Sequence, residues 1–179
     1  MKKIILSVAI LSISIAAVAQ KKSESDFKNV VKVNPLGLLF GTANVSFEHV
    51  LTEKSAVQGN LQFGSISFLG VKYTNIGAGV DYKFYLSHTK TAPNGFYASP
   101  GIGFYSTTIK DGSGSFKGAG AIIKGVVGNQ WAWESGFALD LFGGINYFAG
   151  SKITGSGGTT YSKFSGALPA LGVSLGYAF

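Results

Sequence analysis

The sequence predicts an all-β fold, an eight-stranded antiparallel up-and-down β-barrel that spans a membrane, and three observations point there. The first is the C-terminal stretch, where Leu171, Val173, Leu175, Tyr177 and Phe179 are apolar or aromatic and Gly172, Ser174, Gly176 and Ala178 between them are small. A period of two is one face of a β-strand. A face this apolar suits a strand lying against lipid, and in water it would be an adhesive edge. The second is composition: 46% of residues are hydrophobic and 13% charged, yet past residue 19 no apolar run approaches the roughly 18 residues of a spanning helix. Lipid offers no partner for unpaired backbone groups, so the membrane alternative to helices is a closed barrel. The third is 26 glycines beside 13% aromatics, a mixture poor for helices and good for strands.

The N-terminus fits export. Lys2 and Lys3 precede an almost unbroken apolar run from Ile4 to Val18, and Ala17-Val18-Ala19 before Gln20 forms a small-residue cleavage site. Residues 1–19 therefore read as a secretory signal peptide, too short to be trusted as a transmembrane helix. Cleavage leaves 179 − 19 = 160 residues and lowers the formal charge from +7 to +5 by removing Lys2 and Lys3. The chain has no cysteine, so neither a lipoprotein anchor nor a disulfide is expected.

Residues 20–27 read as a polar lead-in and 28–179 as one barrel domain, with strands of the length a tilted span requires. The first strand is expected over 28–38 and the second over 42–51, with Val45 and Phe47 on one face; 52–55 is a polar turn. The third, 56–67, alternates Val57, Leu61 and Phe63 with Gln58, Asn60 and Gln62. The fourth, 74–86, sets Ile76, Ala78, Val80, Tyr82, Phe84 and Leu86 against Gly77, Gly79, Asp81, Lys83 and Tyr85. A turn with Pro93-Asn94-Gly95 covers 87–95. Strand five is 96–108, followed by a flexible loop at 111–114. Strand six, 118–130, alternates Ala121, Ile123, Gly125 and Val127 with Ile122, Lys124 and Val126, and 131–135 turns the chain. Strand seven, 136–149, points Phe137, Leu139, Leu141, Ile145 and Tyr147 outward. The longest loop is expected at 150–164, and strand eight closes the barrel at Phe179. Near Pro35 the run Leu36-Gly37-Leu38-Leu39-Phe40 breaks the alternation, so a bulge or slipped register is expected there.

Connection lengths set an orientation. The turns at 52–55, 87–95 and 131–135 are expected on the periplasmic side, and loops near 40, 67–73, 109–117 and 150–164 outside. Trp131, Trp133, Phe96, Phe84 and Phe179 would then form a periplasmic aromatic girdle, with Phe104 and Tyr147 toward the outer rim.

Three segments carry a resemblance: Val31-Lys-Val-Asn-Pro-Leu-Gly37 with Ser46-Phe-Glu48; Asp81-Tyr-Lys-Phe-Tyr-Leu86 leading into Gly95-Phe-Tyr97; and Gly136-Phe-Ala-Leu-Asp140 with the closing Leu171 to Phe179. In that order they resemble a family of small, uncharacterised outer-membrane barrels of Gram-negative bacteria, similar in architecture to OmpA and OmpX. The resemblance spans the mature chain and implies a fold and an outer-membrane address. It implies no catalytic residues. The final Phe with apolar residues at alternate positions also resembles the signal read by the barrel-assembly machinery, here Leu171, Val173, Leu175, Tyr177 and Phe179.

Parity places Lys32, Glu48, Asp81, Lys83, Lys124 and Asp140 on inward faces as a polar network. The interior of an eight-stranded barrel is filled by side chains, and charges buried there must be paired. Inward glycines at Gly77, Gly79, Gly101, Gly103, Gly144 and Gly172 would leave lysines room to reach across. His49 and His88 lack a carboxylate and a serine at a useful spacing, so no catalytic site is expected. No Cys/His cluster suggests a metal and no phosphate-cradling Gly-rich loop suggests a cofactor. All fifteen basic residues are lysines, scattered without a stripe, which excludes nucleic acid as the expected partner. Lys110, Lys117, Lys152 and Lys163 instead suit outer-membrane lipid and lipopolysaccharide. Periplasmic chaperones are the other expected partners. The expected function is a non-enzymatic structural or surface-interaction barrel; the alternatives are a small-solute channel and a soluble, secreted, lipocalin-like binding barrel with its apolar face inside.

Overall fold

The computed structural model describes residues 27–39, 41–112, 114–155 and 160–179. The expected signal peptide and nearly all of the lead-in lie outside the described residues. Within them the alternating stretches form eight strands: β1 (Asn29–Val33), β2 (Thr42–Thr52), β3 (Ser55–Phe68), β4 (Val71–Tyr85), β5 (Gly95–Asp111), β6 (Gly114–Ala132), β7 (Phe137–Gly155) and β8 (Thr160–Ala178). Each strand pairs antiparallel with the next in the chain, and β8 pairs back onto β1 to close the barrel. The all-β, eight-stranded, up-and-down fold is therefore as the sequence predicts.

The boundaries differ at both ends of the chain. The first strand, expected over 28–38, stops at Val33, and a short helix α1 (Pro35–Leu39) follows. The local chemistry explains it. Asn34 Oδ1 accepts a 3.0 Å hydrogen bond from Gly37 N, the arrangement of an N-cap, and Pro35 supplies a first helical residue with no N–H to satisfy. Gly41, at φ +69° and bonded to Leu38 O, turns the chain out of α1 into β2. At the other end, the loop expected over 150–164 is largely strand: Ser151 pairs with Phe164, Lys152 with Lys163 and Ile153 with Ser162, past a bulge after Phe148. Ile153, Thr154, Thr160, Tyr161 and Phe164 favour strand, and a neighbouring strand in register supplies the hydrogen bonds that hold the Gly and Ser between them. The loops expected near 67–73 and 109–117 shrink in the same way. Phe68 pairs with Val71 across Leu69 and Gly70, both at positive φ, which is the twist a two-residue hairpin needs.

The two faces of the sheet differ sharply. On β4 the outward residues Ile76, Val80, Tyr82 and Phe84 are exposed, while inward Asp81, Lys83 and Tyr85 are buried. The same division holds on β5, with Phe96, Ile102 and Phe104 outside, and on β7, with Phe137, Leu141, Ile145 and Tyr147 outside. From Ile76 to Phe84 the strand rises about 27 Å, or about 21 Å along an axis tilted by about 40°, near the roughly 25 Å apolar band of outer-membrane barrels. Beyond that belt the outward residues turn polar: Thr74 and Lys72 on β4, and Ser106, Thr108 and Lys110 on β5. Phe104 and Tyr147 are thus not at the strands' outer ends, because the strands run on past them to Asp111 and Gly155.

One end of the barrel, here the near end, holds Phe27, Phe179 and the connections at 53–54, 86–94 and 133–136. The far end holds α1 and the hairpins. The longest connection, 86–94, lies at the near end, so loop length alone does not orient the barrel as expected; the long excursions beyond the belt are extended hairpins at the far end. Aromatic residues do gather at the near rim. Trp133 stacks on Phe137 at 5.3 Å, Tyr177 on Phe179 at 6.4 Å, and Tyr82 lies 4.6 Å from Phe84. Of the residues expected there, Trp131 is only half-exposed.

Candidate functional site: the charged interior

The inward faces of five strands converge on one cluster. Lys32 of β1, Glu48 of β2, Lys83 of β4, Gln130 of β6 and Asp140 of β7 are all buried. Lys32 Nζ donates to Glu48 Oε2 at 2.8 Å, Gln130 Oε1 at 2.7 Å and Asp140 Oδ2 at 2.8 Å. Lys83 Nζ meets the same three oxygens at 3.0, 2.9 and 3.1 Å. An ammonium has three N–H groups, so each lysine is fully used. The remaining carboxylate oxygens are taken by tyrosines: Tyr85 Oη donates to Glu48 Oε1 at 2.5 Å and Tyr97 Oη to Asp140 Oδ1 at 2.7 Å. Lys83 Nζ also sits 3.9 Å from the centre of the Tyr97 ring, a cation–π contact. Two positive and two negative groups with every lone donor met is the arrangement in which buried charge is tolerable, since a single unpaired ion costs several kcal/mol (~3–5).

The residues expected as one network resolve into two groups. Lys124 Nζ lies 2.7 Å from Asp81 Oδ1, higher in the barrel and less buried. Asp81 Oδ2 accepts from Asn60 Nδ2 at 2.8 Å, and Asn60 Oδ1 accepts from Ser46 Oγ at 2.9 Å and Gln58 Nε2 at 2.7 Å. Gly101 makes room for this pair: a Cβ there would strike the Asp81 carboxylate and come within 2.8 Å of Lys124 Cε. Gly176, not among the glycines expected, does the same for Lys32, whose Cγ would lie 2.7 Å from a Cβ. Gly79 and Gly103 instead let adjacent strands approach, since a Cβ on either would lie within 3.0 Å of a neighbouring carbonyl oxygen.

Sequence reasoning missed Tyr97, Gln130 and the near-end loop. Parity was a usable signal for the first two, since Tyr97 and Gln130 fall in step with Ser99 and Gly128. The loop had none. In it Ala92, Pro93 and Asn94 are buried and fold under the cluster as a lid. Gln130 Nε2 donates to Pro93 O at 2.9 Å, Ala132 N to Asn94 Oδ1 at 2.6 Å, and Ala92 N to Glu53 O at 2.8 Å. Lys54 Nζ ties the loop's outer side to Ser87 O and Lys90 O. Val50, Ala56, Tyr85, Ala92 and Tyr97 pack together at this level, and Phe27, Val30, Ala132, Ala138 and Ala178 form a second apolar layer.

Above the cluster lies a cavity of about 360 Å³. Asn34, Asn44, Asn60, Gln62 and Asn146 line it, with Lys83, Tyr97 and Asp140 at its base. The histidines stand apart from it. His49 faces outward near the rim and its Nδ1 is 2.9 Å from Asn29 Oδ1, while His88 belongs to the lid loop. Among the described residues no group of three or more His, Cys, Asp or Glu is placed to hold a metal. The C-terminal residues lie as a strip on the outside of β8: Leu171, Leu175 and Phe179 are exposed, Val173 and Tyr177 half-exposed.

No family model and no curated protein matches this chain. Among solved structures it is similar to the crystal structure of Acinetobacter baumannii CarO2, with a TM-score of 0.43 and 12% identity over 86% of this chain and 98% of that one.

Proposed function

We propose that this chain is a bacterial outer-membrane β-barrel, exported by its N-terminal segment, with a structural or surface-interaction role and an interior sealed at its periplasmic end. The observation that carries the reading is the inside-out polarity: an exposed apolar belt about 21 Å high around a core of buried ion pairs. A lipocalin-like barrel in water needs the reverse, with charge outside and an apolar pocket within. Exposed apolar patches on soluble monomers rarely pass a few hundred Å², and a belt on all sides would drive association.

The near end, where residues 27 and 179 meet, is the periplasmic one in this reading, and Lys72, Lys110 and Lys117 at the far end meet lipopolysaccharide. The strip Leu171, Val173, Leu175, Tyr177 and Phe179 is offered to the barrel-assembly machinery, with chaperones holding the chain beforehand. The resemblance noted above, to small uncharacterised barrels of OmpA and OmpX architecture, agrees with this. Sealing follows from the lid and the charge cluster, which occupy the bore in series, and favours a closed barrel over the small-solute channel. No residue is assigned to catalysis. Fractionation tests the reading: the folded protein should be in the outer membrane, begin at Gln20 and migrate on gels with a heat-dependent shift. Soluble protein that stays monomeric without detergent would overturn it.

A further inference from the structure

The wall of the barrel is not complete on the side where it closes. The β1–β8 ladder runs from Val30↔Ala178 to Val33↔Leu175 and stops where β1 ends, whereas β8 continues back to Thr160. Phe179 N donates to Asn29 O, and Ala178 N to Gly136 O. Odd-numbered residues of β8 thus aim their main-chain groups at the β1 side and even-numbered ones at β7. The β7 ladder is unbroken from Tyr177 to Gly166, so Val173, Leu171, Pro169 and Ala167 aim theirs past the end of β1. Pro169, which has no N–H, removes one donor from this free edge. Among the described residues, the site occupied elsewhere by a strand holds α1, with Leu36, Leu38 and Leu39 exposed.

This seam lies at the level of lipid, because Leu171 and Pro169 pair with Gly143 and Ile145 of β7, inside the apolar belt. It also opens inward. Asn34, Pro169, Leu171 and Ser174 from its two sides line the cavity above the charge cluster. Gln58 and Ser99, both more than nine-tenths buried, also line it, and Gln58 Oε1 and Ser99 Oγ lie beneath its surface with no hydrogen bond among the described residues. The charges are already spent on one another: Lys124 on Asp81, Lys32 and Lys83 on Glu48 and Asp140. What the cavity still offers is neutral amides and hydroxyls.

We propose that the seam between α1 and β8 is a lateral portal, through which a membrane amphiphile with an uncharged, hydroxyl-rich head places that head in the cavity and keeps its apolar chain against Leu36 and Leu171. Hydroxyls of the head donate to Ser99, Gln58 and the carbonyls of β8 that face the seam, polar groups that hydrocarbon alone would leave without partners. The inference rests on the membrane reading above.

The test uses the folded, isotope-labelled protein in phosphatidylcholine nanodiscs with increasing monoglucosyl diacylglycerol, read by NMR. Saturable shifts confined to Asn34, Asn60, Ser99 and Leu171 are expected, and Ser99→Ala should weaken the binding several-fold. Asn146→Trp, which fills the cavity beside β8, should weaken it at least tenfold. No saturable shift overturns the proposal. So do equal shifts from free glucose, which would make the cavity an ordinary polar pocket, or from phosphatidylglycerol, which would make it a site for charged heads. A protein that gives its folded spectrum in plain buffer would overturn the membrane reading instead.

Discussion

Lys83 has less than 2% of its surface exposed, and three oxygens and an aromatic face surround its side-chain nitrogen. Removing one charge from such a square leaves the others unbalanced while their hydrogen bonds persist. Asp140→Asn should therefore destabilise the barrel by about 3–5 kcal/mol, the usual result of breaking a buried pair. Asp81→Asn should cost less, about 1–3 kcal/mol, because Lys124 is about a fifth exposed and loses one partner rather than a corner of a closed square. Urea unfolding of both variants in lipid vesicles reads the difference. Equal losses would mean that the two groups act as one network.

At the scale of the element, β4 states the two-faced rule most plainly. Val80 sits midway between Ile76 and Phe84 on the belt, so Val80→Arg should cost about 2–4 kcal/mol of stability in a bilayer. Leu141→Arg on β7 should behave alike, and the same vesicle titrations check both. The lid is the other element with a testable consequence. Asn94→Ala leaves the buried Ala132 N–H without its acceptor, at a cost of about 1–3 kcal/mol, and should raise hydrogen exchange at Ala132 before it affects the belt. On the closing strand, Phe179 bonds through N and O to Asn29 and Lys28. Phe179→Asp keeps those bonds but places a charge on the outer strip, so it should reduce the yield of assembled, heat-shifted protein far more than a charge placed at Gly112.

For the whole molecule the lid and the charge cluster lie in series along one bore, which makes conductance the measurement that joins them. In a planar bilayer the native protein should show no steady current. Deleting residues 88–91 alone should change little, since the cluster still blocks the path. Combining that deletion with alanine at Lys32, Glu48, Lys83 and Asp140 should raise the conductance at least tenfold. Steady current through the native protein would show that the interior conducts as it stands.

The class of fold was legible in the sequence because a strand's two faces are written at period two, and lipid outside with charge inside makes that period loud from Ile76 to Phe84 and from Phe137 to Tyr147. Asn34-Pro35 was equally legible as a helix start, though the alternation around it drew attention to a bulge instead. Parity also placed Lys32, Glu48, Asp81, Lys83, Lys124 and Asp140 inward. It carried no information on which lysine meets which carboxylate, because Lys32 and Asp140 are 108 residues apart and are brought together only by closure of β8 on β1. The strands at 151–155 and 160–164 were hidden for a related reason: the Gly- and Ser-rich run between and within them reads as a loop, and the strand formers Ile153, Thr154, Tyr161 and Phe164 take their register only from the ladder beside them. The lid and the open seam above Val33 belong wholly to the tertiary structure. A loop is buried, and an edge left free, only by what stands next to it in space.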